Sequence, residues 1–212
     1  MRTVTKTEEH LALANGRSHG WNWDEFREND HDGYRAVHEQ ALTDQCNECA
    51  YCGLWIGEGT SQKVHLDHFR KKGIYGELAL VYDNLFAAVK DMPYGSDYKD
   101  KKIHGPRGNA DVQYATFWSP LISNLANKFW YRQDGQMEPV DSLSAEDKDM
   151  AKNTIEMYNL NHPYLKQRRS ELMHIIDGLK DCDDDTVRMC LGASGFSFVV
   201  DFELNQIRNS AL

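Results

Sequence analysis

Polar and apolar positions divide the chain into three stretches of different rhythm. Up to about residue 50 the chain is polar, with an aromatic cluster at Trp21, Trp23 and Phe26. There Tyr34, Val37, Ala41 and Leu42 recur at helical spacing, which predicts a short helix over 33–44. From Cys49 to about Arg107 the pattern changes to a cysteine pair, a turn at Gly57-Glu58-Gly59, and alternation at Val64, Leu66 and His68. Two short strands joined by a turn follow from that pattern. The apolar run from Tyr82 to Val89 fits either a strand or a helix, and Pro93 and Gly95 interrupt whatever precedes them. The last stretch is helical. Ser144 is a good N-cap with Asp147 three residues on, and Met150, Ala151, Thr154, Ile155 and Tyr158 follow at 3.6-residue spacing. Pro163 opens a second helix with Leu165, Leu172, Ile176 and Leu179 on one face. The acidic run 183–185 favours the start of a third.

This pattern predicts an α+β protein: an N-terminal segment over 1–44, a middle core over 45–107, and a mainly helical region over 108–212. The last is expected to form one compact unit with the core. At 212 residues the chain is too short for a multidomain machine, and 41% hydrophobic with 27% charged residues is enough apolar material for a packed core. No apolar stretch approaches the length of a membrane span, and the first residues lack the apolar segment of a secretory signal, so a cytoplasmic location without membrane attachment is expected. Three of the five cysteines crowd into Cys46, Cys49 and Cys52, which in a reducing compartment suggests metal chemistry before disulfides.

Charge narrows the position of any nucleic-acid site. The whole chain carries -9, which repels phosphate. Between Lys63 and Arg107, however, nine basic residues face six acidic ones, a net of +3 that leaves -12 for the remainder. Lys99, Lys101, Lys102 and Arg107 are candidate phosphate contacts within that segment.

The most informative string is Val64-His65-Leu66-Asp67-His68-Phe69-Arg70-Lys71-Lys72, with Asn84-Leu85 beginning sixteen residues after His68. Phosphodiester hydrolysis needs a base to take a proton from water and a cation to balance charge building on the phosphate. An imidazole suits the first task at neutral pH, and a hard carboxylate suits Mg²⁺. On a strand, adjacent side chains face opposite ways, so Asp67 and His68 share one phosphate only where the strand bends or ends. Asn84 could brace such an irregular loop.

These residues resemble an HNH endonuclease, and more narrowly the PtuB-like HNH proteins of bacterial Septu and retron antiphage systems. The likeness rests on Cys49-Ala50-Tyr51-Cys52, Asp67-His68-Phe69-Arg70-Lys71-Lys72, Asn84-Leu85, Thr154-Ile155, Tyr158-Asn159-Leu160-Asn161 and Arg168-Arg169, and spans about residues 20 to 180. It implies a ββα-metal nuclease core in the 45–107 region. His68 would be the general base, Asn84 the loop brace and Asp67 a ligand for Mg²⁺ or another divalent cation such as Mn²⁺. Asp97 is the first choice for the second metal ligand and His104 the next. Arg70, Lys71, Lys72, Lys99, Lys101 and Lys102 would contact nucleic acid, with DNA favoured over RNA as substrate. A PtuA-type ATPase is the implied partner. Two departures stand out: Lys71 occupies a position where the family usually has Pro, and residues 89–102 contain no second cysteine pair. Cys49 and Cys52 alone supply two of the four ligands of a structural zinc, with Asp91, His104 or Cys46 as possible additions.

Each residue also has a plain structural reading. Asp67 could simply pair with Arg70, Asn84 could be a turn residue, and His65 and His104 could be ordinary surface or core groups. Cys182 and Cys190 read as ordinary thiols, and Trp21, Trp23, Phe117, Trp118, Phe129 and Trp130 as core or interface aromatics. The competing functional class is a catalytically degenerate, HNH-like binding or adaptor subunit. A plain zinc-ribbon regulator is a third.

Overall fold

A computed structural model of the chain describes residues 1–210. It is an α+β structure with nine α-helices and two small antiparallel sheets among the described residues. Three helices come first: α1 (Leu11–Ser18), α2 (Trp23–Asn29) and α3 (His31–Asp44). α2 is short, yet its start is fixed by a full capping box. Asn22 Oδ1 accepts from the Asp24 and Glu25 amides, and Glu25 accepts from the Asn22 amide in return. Phe26, Val37, Ala41 and Leu13 are buried and join this layer to the main core.

The central hairpin differs from the sequence expectation. Strand β1 (Val64–His68) does not pair with the segment just before it, where Glu48 and Trp55 form an isolated bridge. Its partner is β2 (Leu85–Val89), running antiparallel from Val64 opposite Val89 to His68 opposite Leu85. The run from Tyr82 to Val89, undecided from its composition, is thus a short 3₁₀ turn followed by a strand. All five β2 residues are buried, which explains why it reads as continuously apolar instead of alternating. Gln45, at the end of α3, covers the far edge of β2. Its Oε1 accepts from the Ala87 amide at 2.9 Å and its Nε2 donates to the Ala87 carbonyl at 2.8 Å.

Gly95 turns the chain at φ 72°, a conformation that favours glycine, and helix α4 (Ser96–Lys102) follows. Next come α5 (Arg107–Tyr114) and the small hairpin of β3 (Phe129–Tyr131) with β4 (Met137–Pro139). Helices α6 (Ala145–Met157), α7 (Pro163–Gly178), α8 (Asp184–Leu191) and α9 (Ser197–Ser210) complete the order. The Ser144 cap read from the sequence holds α6, and α8 starts at the acidic run, where Asp183 proves to be its cap. Ser144 Oγ accepts from the Asp147 amide, and Asp183 accepts from the Thr186 amide.

Buried polar contacts hold the third section together and fasten it to the middle. Arg169 is almost fully buried and donates to the carbonyls of Gly135 at 2.7 Å and Leu160 at 2.8 Å. Gly135 permits the approach of α7 to this turn, since a Cβ there would lie 1.9 Å from the Lys166 carbonyl oxygen. Glu48 accepts from the Ser197 amide and hydroxyl at 2.7 and 2.9 Å, fastening the start of α9 beside the cysteine loop. The N-terminal segment joins the same body, with the Val4 amide donating to the Pro120 carbonyl. No helix among the described residues is long and apolar enough to cross a membrane.

Candidate active site

The Asp67-His68 step lies at the end of β1, and the 16 residues between His68 and Leu85 form the loop that closes the hairpin. Asn84 ties that loop down. Its Oδ1 accepts from the Arg70 amide at 2.7 Å, and its Nδ2 donates to the carbonyls of Arg70 at 3.0 Å and Leu78 at 3.2 Å. The Phe69 amide donates to the Asn84 carbonyl at 2.9 Å, so both ends of the loop meet just past His68.

His68 is held on two sides. Its Nε2 lies 3.0 Å from the Ala79 carbonyl, and its ring packs edge-on against Trp23 of α2 at 4.5 Å between centroids. Burial pushes its pKa down to about 4, outweighing the upward pull of the Ala79 carbonyl and the Asp67 charge. The ring is therefore neutral at pH 7. A carbonyl can only accept, so the single ring proton sits on Nε2 and Nδ1 keeps its lone pair. A neutral ring with one bare nitrogen can accept a proton, and here the backbone carbonyl selects which nitrogen that is.

His68 lines a cavity of about 310 Å³ together with His65, Leu66 and Asp67. Four consecutive residues of a strand point alternately to opposite faces, so this cavity runs along the edge of β1 and not beneath one face. The opposing wall is formed by Trp23 and Arg27 of α2 and Tyr34 of α3, with Lys71, Lys72, Lys90 and Asp100 completing the lining. Four cationic side chains against two carboxylates make it attractive to phosphate. Arg27 stacks on Tyr34, with the guanidinium 5.4 Å from the ring centroid. His65 contacts Ser96 Oγ at 3.2 Å, and burial lowers its pKa.

Asp67 also borders this cavity, but its Oδ2 turns toward α4. Its Oδ2 accepts from the Tyr51 hydroxyl and, at 2.9 Å, from the ammonium of Lys99 on α4. Lys99 has no solvent exposure and also donates to the carbonyls of His68 and Phe69, each at 2.9 Å. The Asp100 carboxylate lies 3.2 Å from the same nitrogen. Burial works to lower the Lys99 pKa, but the charges of Asp67 and Asp100 outweigh it and the net shift is upward, so the ammonium stays charged. Burial raises the Tyr51 pKa, and Asp67 reinforces the shift.

Of the remaining sequence candidates, only Lys71 and Lys72 border the His68 cavity; the others lie elsewhere. Lys99 cannot contact nucleic acid, because it is enclosed and its protons are taken by protein oxygens; its role here is structural. Arg70 pairs with Asp111 at 2.9 Å and stacks over Tyr75 and Tyr114, so it does not pair with Asp67. Lys71 donates to the carbonyls of Asp100 and Ile103, and Lys72 pairs with Asp24 at 2.8 Å. Lys102 donates to the Glu156 carbonyl and lies over the Tyr98 ring, whereas Lys101 is exposed. Arg107 pairs with Glu77. Asp97 accepts weakly from the Met92 amide at 3.4 Å, and the exposed His104 contacts the Lys102 carbonyl. The carboxylate that shares a cation with Asp67 is that of Asp100, which the sequence reading did not select.

These residues do not fit Mg²⁺ as arranged. Oδ2 of Asp67 is already held by an ammonium and a phenol, and among the described residues no group of three or more His, Cys, Asp or Glu is placed to hold a metal ion. Cys49 and Cys52 are both buried, with Tyr94 near both and Arg169 and the Met1 amine near Cys52, none of which is a usual zinc ligand. The Cys49 thiol is lowered despite burial by hydrogen bonds, first from Cys52, while burial raises Cys52. Cys46 is exposed, and Asp91 pairs with Lys63.

The sequence reading missed Arg27, Tyr34, His65 and Lys90 as site residues. The capping box at Asn22 and Glu25 was the one local signal that a helix presents Trp23 and Arg27 together. No family model matches the chain, and no curated protein matches it.

Proposed function

We propose that the chain is a phosphodiester hydrolase of the HNH type, with His68 as the proton acceptor. The supporting observation is the imidazole itself, whose Nε2 proton is committed to the Ala79 carbonyl while the ring lines a cationic cavity. The order of β1, β2 and α4, with Asn84 tying the loop after His68, is compatible with a ββα-type nuclease core. In this reading a phosphate enters beside Arg27, Lys71, Lys72 and Lys90, and Nδ1 of His68 takes the proton of an attacking water. By its resemblance to PtuB-like proteins, the chain would act on nucleic acid in antiphage defence, alongside a PtuA-type ATPase.

The test is cleavage of labelled DNA and RNA, with and without Mg²⁺, by the wild type and His68→Ala, with the partner ATPase present and absent. Cleavage that disappears in His68→Ala supports the proposal. Equal cleavage by both proteins would sink it.

The ion pair between Lys99 and Asp67 favours a second reading, in which the HNH-like element is a binding or adaptor subunit without catalysis. Nucleic-acid binding that depends on Arg27 and Lys90, with no cleavage under any of these conditions, would select it.

A further inference from the structure

We infer that the ammonium of Lys99 is the resident cation of this site, and that the site operates without a divalent metal ion. Four oxygens from three consecutive β1-end residues and α4 converge on this one nitrogen. Asp67 Oδ2, the His68 carbonyl and the Phe69 carbonyl lie at 2.9 Å, and Asp100 Oδ1 at 3.2 Å. The rings of Tyr51 and Phe69 approach to 5.4 and 5.7 Å. Carboxylate and carbonyl oxygens are the donors a hard metal ion selects, but Mg²⁺ needs them at about 2.0–2.1 Å in an octahedron. The observed spacing is that of N–H···O hydrogen bonds.

The count of protons fits as well. An ammonium has three donors, and three oxygens take them. The fourth oxygen, Asp100 Oδ1, is buried without a hydrogen-bond partner. It is held by charge alone, which is the expected result when four acceptors surround a three-proton cation. Lys99 is itself fully enclosed, so a divalent ion could take its place among these four oxygens only by expelling a charged side chain from the core.

The arrangement has a consequence for the cavity. Asp67 and Asp100 both border it, and their negative charge would repel a phosphate. Lys99 offsets part of that charge from behind the wall, leaving Arg27, Lys71, Lys72 and Lys90 to receive the anion. Lys99 is thus a positioning residue: it holds the backbone of His68 and Phe69 and balances the two carboxylates, without touching substrate.

The ion-binding part of this inference stands on the oxygen cage alone, and only the cleavage part rests on the hydrolase proposal. The experiment is thermal unfolding of the full-length wild type in EDTA and in Mn²⁺ or Mg²⁺, followed by cleavage assays in the same buffers. We expect the unfolding midpoint to move by no more than about 1 °C between buffers and cleavage to persist in EDTA. A midpoint several degrees higher in Mn²⁺, or cleavage only with a divalent ion, would overturn the inference while leaving the hydrolase proposal intact. Cleavage by His68→Ala at the wild-type rate would do the reverse. Lys99→Ser empties the cage and should unfold at lower temperature, with part of the loss restored by Mn²⁺. A folded Lys99→Ser protein indifferent to Mn²⁺ would show that these oxygens form no cation site. If that variant does not fold, the wild-type midpoints decide.

Discussion

Asp67 and His68 are adjacent in the chain, yet they end in different environments. Asp67 turns toward α4, where Lys99 and Tyr51 engage it. His68 turns toward α2, where Trp23 and the Ala79 carbonyl orient a neutral ring beside a cationic cavity. The difference follows from strand geometry, since successive side chains leave a strand on opposite faces. It teaches that a two-residue motif can divide into a structural half and a chemical half. The carboxylate anchors the end of β1, and the imidazole is left with an unprotonated nitrogen.

Five substitutions and a titration would break or sharpen that division. The largest effect should come from His68→Ala, which removes the proton acceptor and should lower cleavage by about 10²–10⁴ while cooperative unfolding is retained. Lys99→Met should do the opposite kind of damage. It leaves Asp67 charged and buried without its partner, at a cost of about 3–5 kcal/mol measured by urea unfolding. Adding Asp67→Asn to Lys99→Met should recover part of that loss, because the two residues are coupled.

The titration concerns His68 alone. Its folded pKa of about 4 lies below the ordinary imidazole value of 6.5, so between these limits the unfolded chain binds a proton that the folded chain does not. The contribution is therefore fully present above pH 6.5 and is lost as the pH falls toward 4. Its size is about 3 kcal/mol, from the shift of roughly two pKa units or more. Burial also lowers His65 and His38, which add changes of the same sign. The measurement is accordingly the difference in stability against pH between the wild type and His68→Asn, which should shrink on going from pH 7 to pH 4.

Asn84→Ala should cost less, about 1–3 kcal/mol, since it strands the Arg70 amide and removes two donated bonds. Its cleavage loss should exceed that of an equally destabilised core variant, because the loop bears on the position of His68. The smallest stability effect belongs to Lys72→Ala. Its ion pair with Asp24 is solvent-exposed, so the unfolding midpoint should not change, whereas binding of a labelled oligonucleotide should weaken.

What could be read from the sequence was local. Alternation at Val64, Leu66 and His68 located β1, the spacing after Tyr34 located most of α3, and Ser144 and the acidic run 183–185 announced their helices. α3 begins at His31, two residues before the predicted start at Gly33, because Asp30 caps it. β2 was ambiguous for a physical reason: a strand buried on both faces has no polar alternation to reveal it. The partners that define the site are long-range. Lys99 lies 32 residues from Asp67, and Asp24 lies 48 from Lys72, so no local spacing could have joined them. Lys99 looked like one of several loop lysines with a charge available to phosphate. Only the packing of α4 against the end of β1 shows that its charge is turned inward. The cavity wall escaped for the same reason, since Arg27 and Tyr34 belong to helices that meet β1 only in the folded chain.

The most direct measurement of the account is nitrogen-15 NMR of the His68 imidazole in the wild type, assigned by comparison with His68→Asn. The account predicts a neutral ring from pH 5.5 to 8, protonated on Nε2 and bare on Nδ1, with titration setting in near pH 4. A ring protonated on Nδ1, or an imidazolium that persists at pH 6.5, would contradict it.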